Sequence, residues 1–108
     1  MRFLKILALV LLAGAAFAQP RTGDDVYRDA QGALTRQDFV RAAAEFRGLR
    51  GDFPTSRYVA DSFYWEALAL QRSGNPEGAL EVLDTELREH PDASTAGQAR
   101  SMRVQICG

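Results

Sequence analysis

The chain has 108 residues, 13 basic and 14 acidic side chains, a formal charge of −1 and a single cysteine. That length suits one small domain. The near-balanced charge argues against a nucleic-acid binder, which needs a clustered basic face. One thiol excludes an intrachain disulfide, so packing must hold the fold.

Residues 1–18 read as a signal peptide. Met1 to Lys5 is a short basic start, Ile6 to Leu12 is purely apolar, and Ala16-Phe17-Ala18 has the small-x-small form of a cleavage site. The apolar run is short for a membrane span, which needs about 20 residues. No membrane anchor is therefore expected after cleavage. Cleavage leaves 11 arginines against 14 acidic residues, a net charge of −3, with every remaining cation an arginine. Residues 19–23 read as a polar linker.

The first helix is expected to begin near Asp24-Asp25, whose carboxylates suit a helix N-terminus. Val26, Ala30, Ala33 and Leu34 lie at helical spacing, with Tyr27 beside them. The helix is expected to end near Thr35 to Gln37. Asp38 reads as the N-cap of a second helix carrying Phe39, Ala42, Ala43, Phe46 and Leu49 on one face. Phe53-Pro54 stops it.

The stretch from Ala60 to Pro91 repeats that plan. A helix with Phe63, Ala67 and Leu70 runs into Ser73-Gly74-Asn75-Pro76. Gly74 suits a left-handed helix end, Asn75 is a good N-cap, and Pro76 fits the first helical position. A second helix with Ala79 and Leu83 then ends at His90-Pro91. Tyr27 and Tyr64 are 37 residues apart, as are Ala30 and Ala67, Asp38 and Asn75, Ala42 and Ala79, Phe46 and Leu83, and Pro54 and Pro91. Thr55 or Ser56 is expected to cap an early-starting, long third helix. The same step places Val104 where Ala30 and Ala67 stood, and Ala99, Met102 and Ile106 form an apolar stripe. Two helix pairs and a fifth helix are expected.

With its small seam residues and late prolines, the stretch resembles a tetratricopeptide repeat, a helical hairpin of about 34 residues. Glu66 stands where that repeat usually has Leu. The resemblance implies an all-α solenoid over residues 24–108, in units 24–54, 55–91 and a partial 92–108. Phe53, Pro54, Ser56, Tyr58, Tyr64 and Trp65 are similar to the pattern of bacterial periplasmic repeat proteins. These include the Tol–Pal-associated component and the lipoprotein subunit of the outer-membrane barrel assembly machinery. That implies a protein-binding scaffold of the cell envelope, periplasmic or secreted.

Enzyme chemistry finds no convergent set. His90 is the one histidine and reads as a surface residue at a helix end. One His and one Cys give no metal spacing, and no glycine-rich phosphate loop is present. No enzyme activity, cofactor or metal is expected. Glu77, Glu81, Glu86 and Glu89 read as a solvated face, with Asp84 and Arg88 placed for a weak i,i+4 pair. Cys107 reads as a buried thiol on an apolar helix face, the alternative being a thiol whose partner lies in a continuation past Gly108.

A binding surface is what remains. In this repeat the first helix of each pair lines the concave side, which makes Asp24, Tyr27, Arg28 and Gln31 candidates, with Asp61, Tyr64, Trp65, Leu68 and Arg72 from the second unit. The expected partner-binding set is Tyr27, Gln31, Tyr64, Trp65, Leu68 and Arg72, residue types that favour interfaces. Tyr64 and Trp65 point about 100° apart on one helix, so both cannot face one seam. The expected partner is a protein or peptide. The alternative is an accessory repeat module of a larger, possibly enzymatic, protein that continues past Gly108.

Overall fold

The computed structural model describes residues 19–108, and the expected signal peptide lies outside them. The described residues form five helices and no strand: α1 (Gly23–Thr35), α2 (Phe39–Asp52), α3 (Val59–Arg72), α4 (Pro76–Glu89) and α5 (Ala96–Cys107). Each helix packs on its chain neighbours, and α3 also touches α5.

The recurrence at 37 residues is present in the backbone itself. At the end of α1, Asp38 N–H donates to Ala33 O at 2.9 Å, and at the end of α3, Asn75 N–H donates to Leu70 O at 2.8 Å. Both are six-to-one bonds that close a helix end around a left-handed residue. That residue is Gly74 at φ 89° in one turn and Gln37 at φ 63° in the other. The loops after α2 and α4 match as well. Phe53 N–H donates to Leu49 O and Ser56 N–H to Phe53 O, as His90 N–H donates to Glu86 O and Ala93 N–H to His90 O.

Packing follows the small residues. Ala30, Ala42, Ala67 and Ala79 have no exposure. Ala30, Ala33, Ala42, Ala43, Phe46 and Ala69 make one core cluster. Ala67, Ala79, Leu83, Ala99 and Met102 make the second, so α5 covers the second hairpin. The stripe of Ala99, Met102 and half-buried Ile106 is present as expected. Val104 is 69% exposed, because the described residues hold no sixth helix against the seam position it occupies.

Several expectations need correction. The third helix does not start early: residues 54–58 make turns and α3 begins at Val59. The Ser56 hydroxyl bonds Tyr58 N–H at 3.2 Å instead of capping a helix, and the Tyr58 ring stacks on Tyr27 with centroids 3.9 Å apart. Thr22, just before the expected start of α1, caps it in a reciprocal box with Asp25. Asp38 holds the N-cap position without a side-chain bond, whereas Asn75 bonds Gly78 N–H at 2.9 Å. Cys107 is exposed, one residue past Ile106 and so rotated off the buried stripe. Asp84 does not pair with Arg88, because Arg103 of α5 reaches it at 2.7 Å. Glu86 is not on a solvated face. It follows Leu83 by three and Ala79 by seven, which puts it on the core stripe, and it has no exposure.

Candidate functional site

Two surfaces can be built from the helices upward: the face of the first helices, α1, α3 and α5, and the cleft between the second helices, α2 and α4.

On the first face the structure divides the expected partner-binding residues into two groups. Tyr27 and Trp65 are half-buried against the first core cluster. Tyr27 also meets Phe46 edge-on at 5.9 Å. Burial holds the Tyr27 hydroxyl above the usual tyrosine range, with the Gln31 and Trp65 side chains acting in the opposite direction. Tyr64 and Leu68 instead pack against the second cluster. Tyr64 and Trp65 touch edge to face at 5.0 Å while serving different clusters, as their 100° separation requires. Arg72 is exposed, with its guanidinium 5.9 Å from the Phe39 ring.

The acidic candidates fasten loops. Asp24 accepts from Arg57 at 3.1 Å, and Asp61 accepts from the Ser94 hydroxyl at 2.8 Å. Asp24 and Asp61 are 37 apart, and so are Arg57 and Ser94. One contact thus ties each first helix to the loop leading into the next. Arg28 pairs with Asp25 at 3.3 Å on its own helix.

Between α3 and α5 lies an open depression of about 500 Å³, with Tyr64 on one side and Ser94, Gly97, Gln98, Ser101, Met102 and Gln105 on the other. No lining residue carries a charge. Ser94 precedes α5, and the α5 members recur at i, i+1, i+4, i+5 and i+8 from Gly97, one face of a helix. Sequence reasoning missed it. The signal was there in a run of Ser, Gly and Gln at helical spacing in which Arg100 and Arg103 fall off the stripe.

The cleft between α2 and α4 holds about 380 Å³. Its floor carries the Glu66 carboxylate. Glu66, 3% exposed, pairs with Arg50, whose side chain is 17% exposed. Arg50 also donates to the Ser62 hydroxyl at 3.1 Å, and its guanidinium lies 3.9 Å from the Phe63 ring centroid. A buried carboxylate thereby acquires a charge partner, and that partner acquires an acceptor and an aromatic face. Phe63 also meets the His90 ring at 5.5 Å, so the histidine packs inward, half-buried.

Among the described residues no group of three or more His, Cys, Asp or Glu side chains is placed to hold a metal ion. No helix among them is long and apolar enough to cross a membrane. No family model matches the chain, and no curated protein matches it.

Proposed function

We propose that this chain is a tetratricopeptide-like interaction scaffold, with residues 1–18 as its signal peptide. On this reading it works in the periplasm or outside the cell and binds a protein or peptide partner through the face of α1, α3 and α5. It has no catalytic role, and residues 24–108 act as one repeat domain. The observation that carries the reading is the uncharged depression between α3 and α5, where the half-buried Tyr64 ring meets a polar but neutral stripe. Neutral hydrogen-bonding groups beside an aromatic ring suit recognition of peptide segments. Tyr27, Gln31, Trp65, Leu68 and Arg72 extend the same face along α1 and α3.

Trp65 and Tyr64 also pack inside the fold, so truncating them would confound binding with stability. The test uses exposed positions. A photo-crosslinking residue at Gln98 should give a discrete adduct with an envelope protein, and the same residue at Arg47, on the α2–α4 side, should give none. Adducts from Arg47 alone, or from neither position, defeat the proposal.

Val104 favours a second reading. Its exposed seam position can accept a helix from a further segment, which suits an accessory module of a larger protein. The coding sequence after Gly108 decides: an open frame supports that reading and a stop codon defeats it.

A further inference from the structure

We propose that proton binding at Glu86 controls how firmly α5 docks on the second hairpin. The Glu86 side chain has no exposure, and its Oε2 meets no hydrogen-bond partner. Its Oε1 accepts from the Thr95 hydroxyl at 3.1 Å. That hydroxyl also lies 3.4 Å from Asp61 Oδ1. A hydroxyl has one proton to give, so Glu86 of α4 and Asp61 of α3 compete for it. Thr95 is the N-cap residue of α5 yet makes no side-chain capping bond to its own helix. The root of α5 is therefore held through the two carboxyls.

The surroundings contain no cation for Glu86. From α3 come Asp61, a like charge, and the backbone N–H of Tyr64, while Glu66 of the same helix is paired with Arg50 of α2. His90, at the end of α4, rests against Phe63. From α5, Arg103 is drawn to Asp84 and Arg100 is exposed. A carboxylate there is a buried charge with no cation beside it, and proton binding removes that charge. Burial raises the proton affinity of Glu86 above the ordinary glutamate value, the Thr95 hydroxyl and the Tyr64 backbone N–H act against it, and the Asp61 charge adds a smaller push upward.

The direction of the switch follows. With α5 docked, Glu86 holds its proton more tightly than when the site opens to water. Raising the pH through the ordinary glutamate range toward the raised value therefore favours opening, and acid favours docking. Opening parts Ala99 and Met102 from Ala67, Ala79 and Leu83, and removes the α5 wall of the depression beside Tyr64. The mechanism stands on Glu86 alone and does not require the partner-binding reading.

Hydrogen exchange of the Ala99 and Met102 amides, corrected for intrinsic rates and read against pH, tests it. The opening constant of α5 should rise up to tenfold per pH unit through that window and then level off. The exchange of α1 and α2 should not follow it. In Glu86→Gln, and in Glu86→Leu should the amide variant fail to fold, the rise should vanish. An unchanged rise in a folded variant overturns the proposal, as does a Glu86 carboxyl that titrates at the ordinary glutamate value in carbon-detected NMR.

Discussion

The Glu86 carboxyl and the Thr95 hydroxyl hydrogen-bond across 3.1 Å at a site almost closed to water. One repeat earlier the corresponding positions hold Leu49 and Tyr58. The two hairpins share their backbone plan, but the first buries the apolar Leu49 where the second buries the Glu86 carboxyl. Restoring the apolar solution should stabilise the protein. Glu86→Leu should raise stability by about 1–3 kcal/mol at neutral pH, because it removes a buried oxygen that lacks a partner. Urea denaturation checks this. The sign with pH is also set: a carboxyl whose proton affinity rises on folding costs stability as pH rises, so the advantage of the variant should shrink in acid.

Arg50 and Glu66 give a second prediction. Arg50→Met leaves Glu66 buried beside Phe63 without its cation and should cost about 3–5 kcal/mol. Adding Glu66→Leu, the residue usual in the resembling repeat, should recover most of that loss. A double-mutant cycle by chemical denaturation measures the recovery. Purely additive losses would mean that the pair is not coupled.

The turn residues give a third. Gln37 adopts the left-handed conformation that Gly74 supplies one repeat later. A side chain there costs about 1–2 kcal/mol that glycine avoids. Glycine also loses more freedom on folding. The net gain for Gln37→Gly should be about 0.5–1 kcal/mol, and Gly74→Ala should lose about 1 kcal/mol. Thermal melts of the two variants should move in opposite directions.

The seam gives a fourth. Ala79 has no exposure and shares a cluster with Ala67. Ala79→Leu should cost about 1–3 kcal/mol through overpacking, and Ala79→Arg more, since it buries a charge. Unchanged melting of both would place Ala79 outside the core.

The helices and their seams were legible because alanines, a short polar residue at the N-cap position and prolines after the second helices recur at one interval, and each acts locally. What was not legible depends on groups brought together by the fold. Ser56 looks like a cap until Tyr58 stacks on Tyr27 and fixes the loop as a turn. Asp84 looks like a partner for Arg88 until α5 delivers Arg103. Glu86 looked solvated by residue type, although its spacing from Ala79 and Leu83 already placed it on the buried stripe. Of the candidate surface, Tyr64 was legible as an aromatic on a first helix. The neutral stripe of Gln98, Ser101 and Gln105 was not, since no single residue in it announces an interface.

The repetition of one helical hairpin at an interval of 37 residues is the claim on which the rest depends. A methyl-resolved NOE spectrum tests it most directly. Cross-peaks are expected from Ala30 to Ala42 and from Ala67 to Ala79, with Met102 close to the second cluster and Val104 showing none across helices. Absence of the alanine cross-peaks, or strand-type amide contacts anywhere in residues 23–107, would contradict it.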